Sequence, residues 1–226
     1  MLKKYNAQHT WVNGRRYHKW GTNAYPGVTT VLSATKPSLD THILDKWKAK
    51  VGEDEAARIS QAACDRGTEV HACIEDYLIG KERICDPQWQ PFWDSIRPAL
   101  AHVSDVQLIE GALWHPSGFG GSVDCLGYWD GQLSIIDWKT SSKPKSENWI
   151  VDYKLQVAAY AAACNRVYAE DEIRVNRGVI VIALGDRPAQ IFKIEPRELL
   201  DRWHEFEVRL RQYHNQNQLA TVPPEQ

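Results

Sequence analysis

The sequence predicts an α/β fold, in which a central mixed β-sheet is flanked by helices and preceded by a helical N-terminal region. Two observations lead to this prediction. Three apolar, strand-like runs follow one another around residues 105–115, 119–129 and 132–139. A helical segment at 147–168 then separates them from a buried strand-like run at 177–184. Strands interrupted by a helix of this length are typical of an α/β architecture.

Two dipeptides predict tight turns between strands. Asn13-Gly14 lies in the middle of His9–Tyr17 and predicts a β-hairpin near the N-terminus. Asp130-Gly131 lies between the second and third strands of the central sheet and predicts another. Both pairs tolerate the left-handed backbone that two-residue hairpin turns require.

Helices are expected between the first hairpin and the central sheet. The stretch from Gly27 to Gly80 predicts several helices, with breaks near Pro37 and Gly52. Asp86-Pro87 is typical of a helix start, and we expect that helix to run to about His102.

The chain ends with a strand at 189–194 and a helix that begins at Glu195 or Pro196 and runs to about Asn217. We therefore expect one domain over 1–226 with three parts. These are an N-terminal hairpin and helical region at 1–104, a sheet core at 105–195 and a C-terminal helix at 196–220.

Composition restricts the class of protein. The 226 residues are 43% hydrophobic, which is enough for the core of one domain. No run approaches eighteen apolar residues, so we expect no membrane span. The start, Met1 to Asn6, has no apolar signal segment, so we expect an intracellular, cytoplasmic protein. A net charge of −2 and a pI near 6.4 exclude a generally basic nucleic-acid-binding domain, so any such contact would use local patches.

The five cysteines are scattered and form no C-x-x-C pair. They are Cys64, Cys73, Cys85, Cys125 and Cys164. We expect reduced, mostly buried thiols.

Two carboxylates and one amine fall at the ends of neighbouring strands. Asp137 and Lys139 alternate along one strand, so both point to the same face. The predicted hairpin would bring Asp124 beside Asp137, and two carboxylates that close are costly unless a cation separates them. The pattern therefore predicts a site for a hard divalent cation with a lysine nearby, as metal-dependent phosphodiester hydrolysis requires. An Asp-x-Lys triplet alone is weak, and it also suits an exposed strand end.

The motifs resemble a known family. The pattern Gly-x-x-Asp, then Ile-Ile-Asp-x-Lys-Thr, then Gln-x-x-x-Tyr resembles the PD-(D/E)XK nuclease superfamily and, within it, the RecB-type exonuclease branch. Gly67-x-x-x-His71 matches a helix motif of that branch. The segment from Tyr25 is similar to the mitochondrial genome-maintenance exonuclease subgroup and its phage and bacterial relatives, and this resemblance implies a bacterial or phage-encoded protein. Val123 departs from the proline of the family's name, as is common in RecB-type members.

The resemblance implies a fold and a set of metal ligands. The expected fold is a restriction-endonuclease-like core, with the N-terminal helical region arching over the active site. Asp124 and Asp137 would bind the metal, with the backbone carbonyl of Trp138 and the His71 imidazole as further ligands. Lys139 would act on the attacking water and the scissile phosphate. On helix pattern alone, His71 would instead be a hydrogen-bonded core histidine.

Other residues near these motifs are expected at the site. Gln156 and Tyr160 lie on one helix face and would position the lysine or the DNA backbone, although an ordinary amphipathic face would give the same pattern. Glu110 ends an apolar run and matches a glutamate often found before the first Asp. Glu75, one turn beyond His71, is either an accessory ligand or a solvated side chain.

The expected function is that of a metal-dependent DNA exonuclease that uses Mg²⁺ or Mn²⁺ and acts on single-stranded or frayed ends. The alternatives are a restriction-type endonuclease on the same core and a catalytically idle DNA-binding module. Some RecB-type nucleases carry an iron–sulfur cluster on four cysteines. The cysteine spacing here does not suit one, because Cys164 is the last, so we expect none.

Local features are the candidates for DNA contact. Lys143 and Lys145 directly follow the predicted strand that carries Asp137 and Lys139. Six tryptophans in polar segments are candidates for base stacking, although a structural role is the more common one: Trp11, Trp20, Trp47, Trp89, Trp93 and Trp149.

Overall fold

The computed structural model describes residues 1–6, 8–12 and 15–219. Its strands are β1 (Gln8–Val12), β2 (Arg15–Trp20), β3 (Asn23–Pro26), β4 (Val103–His115), β5 (Phe119–Trp129), β6 (Gln132–Ser141), β7 (Gly178–Leu184) and β8 (Gln190–Ile194). Its helices are α1 (Val28–Ala34), α2 (Ser38–Val51), α3 (Glu53–Leu78), α4 (Gln90–Ile96), α5 (Val151–Val167) and α6 (Pro196–Leu219), with 3-10 turns at Arg97–His102 and Glu147–Trp149.

The predicted central sheet is present and mixed. Its five strands lie in the order β4-β5-β6-β7-β8. β6 and β7 are parallel and are joined through α5, whereas the other neighbouring pairs are antiparallel. A parallel pair needs a crossover connection, and the helix predicted between these strands provides it.

The tight turn predicted at Asp130-Gly131 is confirmed. Trp129 pairs with Gln132, which leaves a two-residue loop between β5 and β6. Asp130 has φ 47° and Gly131 has φ 78°. Two successive positive φ values define the turn that best suits the twist of a hairpin, so this local sequence fixes the register of the two strands that carry the candidate site.

Each face of the central sheet is covered by a helical layer with its own apolar core. One core joins the sheet to α1, α5 and α6. The other joins it to α3, α4 and the 3-10 turn that follows α4. Along β6, Ile135 packs in the first core, whereas Ile136 and Trp138 pack in the second. Because side chains alternate along a strand, Asp137 and Lys139 belong to the α5 side of the sheet.

The N-terminal region contains a small sheet in addition to the predicted hairpin. β1 pairs with β2 as predicted, while the turn at Asn13-Gly14 lies outside the described residues. β3 was not predicted, because Asn-Ala-Tyr-Pro shows no alternation, yet it pairs with β2. Gly27 then forms a parallel bridge to Gly120 of β5, which attaches this sheet to the central one.

The predicted helix breaks occur where expected, but one helix start was wrong. α1, α2 and α3 are separated around Pro37 and at Gly52, which has φ 87°. α4 begins at Gln90 rather than at Asp86. The Asp86 carboxylate accepts a hydrogen bond from the Gln88 N–H at 2.8 Å, and its carbonyl accepts one from Trp89 at 2.8 Å. These bonds close a turn there instead of a helix.

Within the described residues, none of the helices combines the length and the apolarity that crossing a lipid bilayer requires.

Candidate active site

A backbone irregularity aims two carboxylates toward α3. The β4–β5 ladder has pairs at Ile109↔Cys125 and Gly111↔Val123, and Glu110 between them has φ 46°. Val123 packs in the core on the α5 side, whereas Cys125 packs in the core on the α3 side, so the alternation of β5 changes at Asp124. Left-handed residues and local breaks in a ladder re-aim side chains near functional sites.

The hairpin places Asp124 against β6, as the sequence predicted. An Asp124 carboxylate oxygen accepts a hydrogen bond from the Trp138 N–H at 2.9 Å. Asp137 is only 1% exposed and forms an ion pair with Lys139. Among the described residues, no donor other than the Lys139 ammonium reaches the Asp137 carboxylate. A buried carboxylate with no further donor is a group that a cation would stabilise.

α3 brings His71 to the same place. Its Nε2 lies 2.9 Å from the Trp138 carbonyl oxygen, and its Nδ1 lies 3.9 Å from carboxylate oxygens of both Glu110 and Asp124. If Nε2 carries the proton, its N–H donates a hydrogen bond to the carbonyl and the lone pair of Nδ1 faces the two carboxylates. A second hydrogen bond of this kind orients many metal-binding histidines. His71 is partly exposed rather than enclosed in the core.

The ionisation of these groups is strongly coupled. Burial raises the pKa of Asp137 to about 6, and Asp124 adds to that rise while Lys139 opposes it. Burial alone would lower the pKa of His71, but Glu110 and Asp124 outweigh it and the pKa is raised. The pKa of Lys139 is likewise raised against burial by Asp137 and Asp124. The site is therefore a set of interacting charges that a divalent cation would rearrange.

The residues present fit a divalent cation. Ligand atoms of His71, Glu110 and Asp124 all lie within 4.8 Å of one another. The donor set of carboxylate oxygens and one imidazole suits Mn²⁺ and, through its oxygens, Mg²⁺. Glu110, expected only near the site, joins this cluster. Glu75 does not, and lies beside His71 along a surface groove.

Gln156 and Tyr160 pack together on the α5 side of the site. Both are buried, and Gln156 Nε2 donates to the Tyr160 hydroxyl at 3.5 Å. A side chain added at Gly121 would meet the Tyr160 ring at 2.8 Å, so the glycine of the Gly-x-x-Asp motif leaves room for this ring. Burial, followed by the charge of Asp124, raises the pKa of Tyr160, which keeps it protonated at neutral pH.

The sequence analysis missed two side chains that contact β6, Tyr153 and Arg66. Lys139 Nζ lies 5.3 Å from the ring centroid of Tyr153, a cation–π distance. Arg66 Nε donates to the Thr140 hydroxyl at 3.0 Å. Tyr153 precedes Tyr160 by two helical turns, so the helical period could have identified it. Arg66 offered no such signal, because its partner is 74 residues away.

The predicted DNA-contact residues lie at one end of β6. Lys143 is exposed, and its backbone is held by the Ser141 hydroxyl. The Lys145 backbone exchanges two hydrogen bonds with the Gln190 side chain, and its Nζ lies 5.9 Å from the ring of Trp149, which is 63% exposed. The loop is thus fixed, with a cation and an aromatic ring at its surface.

The candidate tryptophans differ in exposure. Trp11 is 70% exposed and Trp149 is 63% exposed, so both rings are accessible for stacking. Trp93 is buried in the core on the α3 side, so its ring has a structural role and is not accessible for stacking. The other three are partly buried or partly exposed.

All five cysteines are free thiols, and four of them are buried. Cys73 and Cys85 approach Glu69 closely enough to form a second group of potential metal ligands. The Glu69 carboxylate already pairs with Arg83 at 2.8 Å and accepts the Asp86 N–H at 3.2 Å. These partners satisfy the carboxylate without a metal. The absence of an iron–sulfur cluster stays a prediction.

Comparison with known proteins gives a family match and three similar relatives. A family model described as the PD-(D/E)XK nuclease superfamily matches residues 88–224, more than half of the chain. Mitochondrial genome maintenance exonuclease 1 of Mus musculus is 31% identical over 212 residues, which cover 89% of this chain and 62% of the mouse protein. The Xenopus tropicalis protein of that name is 32% identical, with 83% and 57% covered. The Homo sapiens protein is 30% identical, with 84% and 58% covered.

The chain therefore spans about three fifths of the length of these relatives. Among solved structures, one from Eubacterium rectale aligns over 65% of each chain at 12% identity and a TM-score of 0.44, which is too distant to support further conclusions.

The geometry predicts which glutamate contributes to metal binding. Mn²⁺ should raise the melting temperature of the protein, because it binds only the folded site. Glu110→Gln and His71→Ala should each weaken Mn²⁺ binding about tenfold or more, as measured by isothermal titration calorimetry. Glu75→Gln is the matched control and should bind as the wild type does. Wild-type affinity in Glu110→Gln would contradict the assigned cluster.

Proposed function

The chain belongs to the PD-(D/E)XK nuclease superfamily, and from this premise we propose that it is a divalent-metal-dependent DNA exonuclease. The observation that supports the proposal most is the state of Asp137. Its carboxylate is buried, has no donor among the described residues other than the Lys139 ammonium, and is close enough to Asp124 for the two charges to repel. The arrangement suits the hydrolysis of a phosphodiester far better than it suits a purely structural role.

We assign metal binding to four side chains. Asp124 and Asp137 approach from the sheet, Glu110 from the irregularity in β4, and His71 from α3. When bound, Mg²⁺ or Mn²⁺ supplies Lewis acidity and positive charge at the scissile phosphate. The Trp138 carbonyl would hold the His71 ring by accepting a hydrogen bond from its Nε2–H. The second lone pair of the carbonyl oxygen is available for the ligand role expected from the sequence.

Lys139 provides a positive charge that is fixed before substrate binds. Its ammonium is held by Asp137 and lies over the Tyr153 ring. A preorganised cation stabilises the extra negative charge that a phosphodiester gains during attack, and it also orients the attacking water by hydrogen bonding. Its raised pKa keeps it charged across the neutral range. Gln156 and Tyr160 support this side of the site from α5.

We further propose that the substrate is a free DNA end, single-stranded or frayed. The three relatives compared above are all named exonucleases. The helical region before the catalytic strands borders the site through α3, and a single strand needs a narrower passage than a duplex does. Lys143, Lys145 and Trp149 supply charge and a stacking surface beside the catalytic strand, which are features of single-strand binding.

Substitution of the catalytic groups tests the site directly. Asp137→Asn and Lys139→Ala should each lower the cleavage rate by about 10²-fold or more, the scale of losing one transition-state stabiliser. The wild type should cleave with Mg²⁺ or Mn²⁺ and not in EDTA. The exposed Asp201→Asn on α6 is the control and should cleave normally. Wild-type rates in both site variants, with circular dichroism confirming their fold, would refute the assignment.

A pair of substrates of identical sequence tests the requirement for an end. Linear single-stranded DNA should be degraded to short products, whereas the closed circle should survive under the same conditions. Products are followed on denaturing gels over time. Rapid cutting of the circle would replace the exonuclease proposal with an endonuclease on the same core.

A further inference from the structure

Gly67 lies in the interior of α3, and no contact among the described residues requires a glycine at this position. A side chain added there would meet no heavy atom within 4 Å, and its backbone is helical rather than left-handed. By contrast, a side chain at Gly121 or Gly178 would meet a packed neighbour. Glycine is among the poorest helix formers, so its presence here is a cost to the fold.

The bare backbone at Gly67 lies in the same surface groove as His71. Gly67 is one turn before His71 and therefore on the same side of α3. Gly67, Thr68, His71, Ala72 and Glu75 line one surface groove. Glycine is used where another backbone or a ligand approaches closely, and here the space beside it is open.

Arg66, the neighbour of Gly67, is a cation without a carboxylate partner. It is partly buried, its Nε donates to Thr140, and its guanidinium lies 4.7 Å from the Phe92 ring centroid. Among the described residues it forms no ion pair, and its two Nη atoms make no hydrogen bond. A planar guanidinium held in this way offers two parallel donors, which suit a phosphate.

We propose that the sugar–phosphate backbone of the substrate lies directly against α3 at Gly67 and that Arg66 holds one of its phosphates. This inference rests on the proposed function and adds a path for the strand. Arg66 is held by Thr140, which follows Lys139 on β6, and it is about 7.5 Å from His71 along the helix axis. Arg66 would therefore bind a phosphate near the scissile one and act as a positioning residue.

Gly67→Ala should separate stability from activity. A methyl group improves helix propensity, so the melting temperature should rise by about 2–4 °C. The same methyl group occupies the substrate's path, so kcat/KM on linear single-stranded DNA should fall about tenfold or more, chiefly through KM. Asn215→Ala, at an exposed position in the interior of α6, is the control and should raise the melting temperature slightly with no loss of activity. Wild-type kcat/KM in Gly67→Ala, or a lowered melting temperature, would overturn the proposal.

The salt dependence of binding tests the phosphate contact. Binding of an oligothymidylate is measured by fluorescence anisotropy in the Asp137→Asn background, so that the probe is not consumed. The plot of log K against log salt concentration has a negative slope. Adding Arg66→Gln should make that slope less steep by about 0.7, the value for one phosphate on a single strand. Arg66→Lys keeps the charge and should retain most of the slope. An unchanged slope in Arg66→Gln would overturn the role of Arg66.

The results distinguish the proposed nuclease function from the proposed path of the strand along α3. If the wild type cleaves no DNA, the proposed function is wrong. If it cleaves linear DNA while Gly67→Ala and Arg66→Gln behave as the wild type does, only the path along α3 is wrong.

Discussion

Burial of the Asp137 carboxylate is the constraint on which the rest of the site depends. Burying a carboxylate without a partner destabilises the folded state by roughly several kcal/mol. Lys139 offsets part of that cost, while Asp124 increases it by repulsion. Among the described residues, no donor other than the Lys139 ammonium reaches the Asp137 oxygens. The fold therefore holds a concentration of negative charge that a bound cation would relieve, and it does so with groups fixed before any ligand arrives.

The two helical layers supply what the sheet alone cannot. α5 covers one face and brings Tyr153, Gln156 and Tyr160 beside Lys139 and Asp124. α3 covers the other face and brings His71 to the Trp138 carbonyl. The change of alternation at Asp124, together with the left-handed Glu110, turns carboxylates of the sheet toward α3. The site thus lies at this irregular point of the sheet, where side chains from the helical layers on both faces come together.

Local signals explain what could be predicted from the sequence. Asp130-Gly131 fixed the hairpin, and the period of two along β6 placed Asp137 and Lys139 on one face. The conformation of Glu110 could not be predicted, since nothing in its sequence neighbourhood favours positive φ. β3 is too short to show alternation, and Asp86-Pro87 suits a turn as well as a helix start. Arg66 contacts Thr140 only because α3 packs across β6, a tertiary relation without a local pattern.

The position of the cation is the most direct test of this account. Crystals grown with Mn²⁺ and measured at the manganese absorption edge should show an anomalous peak bounded by Asp124, Asp137, Glu110 and His71, with metal–oxygen distances of about 2.0–2.3 Å. That peak should be absent in crystals of Asp137→Asn grown in the same way. A strong peak at Glu69, Cys73 and Cys85 instead, or none near Asp137 in crystals that cleave DNA when Mn²⁺ is present, would contradict the central claim.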